Sequence, residues 1–193
     1  MDKSKPKLEP LEITCTSTDC ASNLHCFKFH KKKMTADKKG ACRSCGIKLV
    51  DWNRVHKRNI KDIAYTFKSL KYELIRHHNW HIDIDLRAMN HARRKGKKLM
   101  RIAAEKRIRS SVAPANPPRD GTQTPREGNI IYYAQHGTAC CCRKCIEYWH
   151  DIPQGRELNV DEIQYFTDLI LDYIRDRLPD LKEEGVYVPK IKS

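Results

Sequence analysis

Residues 129–150 read NIIYYAQHGTACCCRKCIEYWH. The β-branched and aromatic opening, Ile130 to Tyr133, suits a short buried strand, and a helical start is the other reading. Three consecutive cysteines follow, with a fourth at Cys145 and a histidine at each end of the run, His136 and His150. Cys142 and Cys145, two residues apart, form the best ligand pair. Cys141 is a contender, and His136 and His150 flank the cysteines at distances that a turn or helix could close. The set His136, Cys141, Cys142 and Cys145 therefore predicts a mixed Cys/His zinc site. An iron–sulfur cluster fits less well, because adjacent cysteines point in divergent directions. A thiol redox centre would need a strand-then-helix setting around Cys142 and Cys145.

All nine cysteines fall into two clusters, Cys15 to Cys45 and Cys140 to Cys145, with 94 cysteine-free residues between them. In the first cluster, CTSTDC and CRSCG supply Cys15, Cys20, Cys42 and Cys45. Two short cysteine turns meet the needs of a tetrahedral zinc ion, and the glycine after the second lets the chain fold back beneath the metal. The spacing predicts a zinc-ribbon-like module. The nearby HCFKFH adds His25, Cys26 and His30, and Cys20 with Cys26 is an alternative first pair; Cys26 is otherwise a spare thiol.

Charge is unevenly placed. The chain of 193 residues carries a formal +14, as +17 over residues 1–111 and −3 over residues 112–193. A basic surface of that strength gathers phosphate and gains free energy from counterion release, so nucleic acid is the expected partner. No apolar run approaches the roughly 18 residues that cross a bilayer, and MDKSKPKLEPLE lacks the apolar stretch of a signal peptide. A cytoplasmic location is expected, where nine cysteines serve as metal ligands or reactive thiols rather than disulfides.

Helical periodicity fills the space between the clusters. Ile60, Ile63, Phe67, Leu70 and Leu74 recur at intervals of three and four, with Lys61, Lys68, Lys71 and Glu73 on the other faces. A second helix runs from about Asp85 to Arg109, interrupted near Gly96, with Leu99, Ile102, Ala103 and Lys106 sharing a face. It holds ten Lys or Arg between Arg87 and Arg109. Arg87, Arg93, Arg94, Lys95, Lys97, Lys98 and Arg101 are its candidate phosphate contacts, with Trp80 and His91 able to stack on bases. His77 and His81, four apart, could share a metal, but without the glutamate of the HExxH pattern the commoner reading is partly buried histidines satisfied by hydrogen bonds, or phosphate contacts beside a basic helix.

The proline-rich run SVAPANPPRDGTQTPREGN is irregular. Its DGTQTP with AQH suggests a reactive pocket: Asp120 as base or metal ligand, Gln123 and Thr124 as hydrogen-bond donors, His136 as acid or base, and Arg143 with Lys144 holding a phosphate. The competing reading is that Asp120 and Gly121 form a turn and that Gln123, Thr124 and His136 brace the second metal site. From Asn159, a cap, two acids and an apolar stripe from Ile163 to Ile174 predict a helix that Pro179 stops.

CRSCGIKLVDWNRVHKR, AYTFKSLKYELIRHH, NHARRKGK, AAEKRIRSSV, DGTQTP and YYAQHGTACCCRKCIEYWHDIPQGRELN resemble an uncharacterised family of bacterial proteins, domain of unknown function 4186. The resemblance extends from Cys15 to about Leu181. It implies no reaction, but it does imply that the two clusters and the loop before the second belong to one unit. The family run carries threonine at the position of Cys140, which implies that Cys140 is the least suited of the three as a ligand.

The expected fold is α+β and helix-rich: a flexible lead-in at 1–12, a zinc-ribbon-like module at 13–50, a basic helical region at 51–111, and a Cys/His-cluster region with a C-terminal helix at 112–193. The expected function is zinc-stabilised binding of nucleic acid, DNA or RNA. A metal-dependent hydrolase or nuclease using Asp120, Gln123 and His136 is the alternative, and an adaptor using the acidic C-terminal helix is a third class. Whether the chain is an enzyme, and its oligomeric state, are left open.

Overall fold

A computed structural model describes residues 13–30, 32–118 and 124–189. The lead-in at 1–12 and the DGTQ run that contains Asp120 and Gln123 lie outside the described residues. Helices dominate: α1 (Trp52–His56), α2 (Ile63–Leu70), α3 (Leu74–His81), α4 (Leu86–Ser111), α5 (Ile130–Gly137), α6 (Arg143–His150) and α7 (Val160–Arg177), with 3-10 turns at Ala36–Lys38 and Ile60–Asp62.

The α+β expectation is overturned. Among the described residues the extended pairings are two isolated bridges, Asp19 with Leu24 and His25 with Glu73. A zinc ribbon needs paired strands, and the N-terminal module instead holds its cysteines on turns. The strand expected at Ile130 to Tyr133 is the start of α5. Asn129 accepts a hydrogen bond from the Ile131 amide at 3.0 Å, capping a helix. Ile130, Tyr133 and Ala134, at helical spacing, are buried. Burial at that spacing outweighs the strand preference of β-branched and aromatic side chains.

The centre of the molecule is α7. Asn159 and Glu162 form a reciprocal capping box at its start. Tyr165, Phe166, Leu169, Ile170 and Tyr173 are buried along it, and α2, α4 and α5 pack around it. The periodic run from Ile60 is broken into a 3-10 turn, α2 and α3. At the second break Tyr72 and Leu74 exchange backbone hydrogen bonds with His25 at 2.8 and 2.9 Å, tying the N-terminal module to the helical body. Glu73, read from the sequence as a solvent-facing residue, is fully buried there.

Helix α4 buries every fourth residue: Ala88, Ala92, Gly96, Met100, Ala104 and Ile108. In a regular helix such a series drifts by about 40° per step and would wander to the opposite face. Gly96, at φ 65°, resets the phase. The face expected from Leu99 and Ile102 is consequently the solvent face, with those residues 51 % and 62 % exposed.

Interrupting the helix frees backbone groups, and the C-terminal strap takes them up. Lys97 and Lys98 amides donate to Lys182 and Glu183 carbonyls at 2.9 and 3.2 Å, and the Val186 amide donates to the Arg93 carbonyl at 2.9 Å. A Cβ at Gly96 would lie 2.4 Å from the Glu184 carbonyl carbon. Gly96→Ala is therefore expected to lower stability by about 1–3 kcal/mol, read as an earlier urea midpoint. Unchanged denaturation would show that the strap does not hold the break.

Candidate metal centres

The first centre forms on two turns. Asp19 and Leu24 exchange backbone hydrogen bonds at 2.8 and 2.9 Å, closing the turn that presents Cys20 and His25. The Gly46 amide donates to the Cys42 carbonyl at 2.9 Å, closing the turn that presents Cys42 and Cys45. The ligand atoms of Cys20, His25, Cys42 and Cys45 all lie within 4.8 Å of one another. The Cys20 and Cys42 sulfurs are 3.8 Å apart and the Cys45 sulfur is 3.5 Å from His25 Nδ1. A tetrahedron with metal–sulfur bonds of about 2.3 Å has edges of about 3.8 Å, so the spacing fits zinc. His25 Nε2 donates to Asn23 Oδ1 at 3.0 Å, which leaves Nδ1 as the atom that could meet a metal and fixes the ring. Burial opposes ionisation of Cys42, but the amides of Cys45, Cys26 and Ser44 bring its thiol down to about 6.

Cys15 is not part of this group. Its carbonyl accepts the Cys26 thiol at 3.4 Å, and burial pushes that Cys26 thiol up to about 11, leaving it protonated.

The second centre sits at the start of α6, where Cys141, Cys142 and Cys145 bring their sulfurs within 4.8 Å of one another. Arg76 Nη2 donates to the Cys145 sulfur at 3.3 Å, Nη1 to the His136 carbonyl at 2.7 Å, and Nε to Glu73 at 3.1 Å. Glu73 also accepts from Tyr148 at 2.5 Å and Trp149 at 2.6 Å. Burial pushes the Glu73 carboxyl up, yet all three neighbours donate to it, an arrangement that suits the carboxylate. Cys145 is held well below the usual thiol range by hydrogen bonds from Cys141 and Cys142 together with Arg76, which outweigh burial. It is the thiol that ionises first.

His136 lies beside this cluster, but its ring is not among the three grouped ligands. Its Nε2 donates to the Thr124 carbonyl at 2.9 Å, which leaves Nδ1 as a lone pair. Thr124 Oγ1 donates to the Cys141 carbonyl at 2.8 Å, and Gln135 Nε2 to the Cys140 carbonyl at 3.1 Å. Cys140 is buried beside Thr138, its thiol pushed up to about 12 by burial.

Other expected roles change. Arg143 is fully buried and donates to the carbonyls of Val112, Pro153 and Arg156 at 3.1, 2.6 and 3.0 Å, so it clamps backbone rather than holding a phosphate. Trp80 is buried between Phe67 and Tyr173, at ring separations of 4.5 and 4.8 Å, out of reach of a base. The His77 and His81 rings are 4.1 Å apart on α3 and belong to neither metal group. His150 faces the core, with Nε2 at 3.1 Å from the Thr138 carbonyl and Nδ1 at 3.2 Å from the Tyr165 hydroxyl.

The family model described as a domain of unknown function (DUF4186) matches residues 64–175. The chain belongs to that family. The match takes in Glu73, Arg76, Thr124, His136 and the whole second centre, and leaves the first centre outside it. No solved structure matches the chain.

Two measurements probe these sites. Arg76→Met leaves Glu73 buried without its cation, and about 3–5 kcal/mol of stability should be lost in chemical denaturation; a loss under about 1 kcal/mol would mean that the pair carries little. Burial takes His150 from 6.5 to about 3. A histidine buried neutral stabilises the fold fully above pH 6.5, and that contribution drains away as pH falls toward about 3. His150→Gln should flatten the acid limb of the stability–pH curve; an unaltered limb would assign it to other groups.

Proposed function

We propose that the protein binds two zinc ions, one in each centre, and uses the metal-held fold to present a basic surface to nucleic acid. Cys20, His25, Cys42 and Cys45 form a closed four-ligand set of the kind that serves structure. In the second centre His136 Nδ1 is the fourth ligand beside Cys141, Cys142 and Cys145. Support comes from its Nε2 bond to the Thr124 carbonyl, the arrangement by which metal-bound histidines are oriented.

The observation that carries the nucleic-acid reading is the first half of α4. Arg87, Arg93 and Arg94 are exposed there, and no ion pair engages them among the described residues. Three other expected contacts are partly neutralised: Lys97 pairs with Glu183, Lys98 with Glu184 and Arg101 with Asp168. The binding face is thus centred on Arg87 to Lys95, ahead of the Gly96 break, and excludes the buried Trp80.

Fluorescence anisotropy with a labelled oligonucleotide tests this. Neutralising about four phosphates implies that affinity falls on the order of 100-fold for a fourfold rise in salt. The double substitution Arg93→Glu and Arg94→Glu should weaken binding and flatten that slope. Binding that is absent, or that ignores salt, removes the nucleic-acid reading.

A further inference from the structure

Two imidazoles outside both centres share one face of α3. His77 and His81 are four residues apart, the spacing that makes side chains neighbours on a helix surface, and their ring centroids are 4.1 Å apart at an interplanar angle of 34°. His81 is exposed and His77 half-buried, so the pair lies at the surface. Arg76, beside it in sequence, turns inward to Glu73 and Cys145. Neither histidine belongs to the two Cys/His groups, so the pair stands apart from the proposed zinc sites.

The surroundings prepare both rings as ligands. His81 Nδ1 donates to the His77 carbonyl at 2.7 Å. That bond orients the ring and leaves the lone pair on Nε2, as backbone carbonyls do for metal-bound histidines. Burial, and after it the neighbouring His81, Lys71 and His78, hold the His77 pKa below its ordinary value of 6.5, so it too is neutral at pH 7. Lys71 pairs with Asp176 at 3.2 Å, which offsets its charge.

Neutral imidazoles four residues apart on one helix face can close on a single metal ion. Bonds of about 2.0–2.1 Å hold two such nitrogens about 2.8–3.0 Å apart at a right angle and about 3.3–3.4 Å apart at the tetrahedral angle. Rings as close as these favour the right angle. We propose that His77 and His81 form a further metal site, at the surface, for one divalent ion of the nickel or copper class. Those ions take nitrogen and oxygen ligands in square or tetragonal geometry, whereas thiolate-rich tetrahedral sets suit zinc. Two protein ligands leave the remaining positions to water, so the ion exchanges with solvent far more readily than one enclosed by four side chains.

Calorimetric titration of nickel chloride into the reduced, zinc-loaded chain tests this, with released zinc measured in the same samples. Nickel is the probe because copper(II) is itself a thiol oxidant. The expected result is one nickel bound per chain without release of zinc. His81→Ala, at an exposed position, should weaken that binding by about 100-fold, the gain from making the second bond intramolecular. His77→Ala should do the same. His78→Ala removes an adjacent imidazole outside the pair and should leave nickel binding unchanged. Zinc content should stay the same in all three variants, since neither centre uses these residues; if His77→Ala disturbs the fold, His81→Ala carries the test. Absence of nickel binding, binding only as zinc leaves, binding that His81→Ala does not alter, or binding that depends on His78 rather than His77 overturns the site.

Discussion

The buried Arg76 guanidinium is the constraint on which the rest of the molecule depends. One planar cation holds the Glu73 carboxylate, the His136 carbonyl at the end of α5, and the Cys145 sulfur on α6. Taking such a charge out of water costs several kcal/mol, and the cost is offset only when its donors find acceptors in good geometry. Three elements must therefore be in place before Arg76 can be buried. The fourth, the N-terminal module, arrives through the bridge between His25 and Glu73. A single residue pair at the α2–α3 junction thus links both candidate metal centres, because His25 belongs to the first and Glu73 braces the cation of the second.

The acidic C-terminal strap plays a second organising part. Helix α4 must bury Ala88 and Ala92 on one side of Gly96 and Met100, Ala104 and Ile108 on the other. The break that allows this exposes amides that only a crossing chain can satisfy, and the strap supplies its carbonyls. It also sets Glu183 and Glu184 against Lys97 and Lys98, so that the basic residues just after the break are paired while Arg87, Arg93 and Arg94 before it stay open.

Much of this was legible from residues alone. The Asn159 cap with its apolar stripe marked α7, Gly96 marked the break in α4, and the paired cysteines marked two separate clusters. What was hidden depends on contacts distant in sequence. Glu73 and Arg76 look like surface charges on a helix, and only their burial beneath Tyr148 and Trp149 makes them a core pair. His25 joins the first centre because the Asp19–Leu24 turn carries it there, a proximity that cysteine spacing does not encode. Ile130 to Tyr133 carry the side chains of a strand, yet one capping asparagine and burial at helical spacing make them a helix.

The proposed pair of zinc sites, each of three thiolates and one imidazole, is open to direct test. X-ray absorption at the zinc edge of the purified chain measures this directly. The expected spectrum fits three sulfur neighbours at about 2.3 Å and one nitrogen at about 2.0 Å per zinc, averaged over both sites. A fit to four sulfurs, or to oxygen and nitrogen without sulfur, would contradict it.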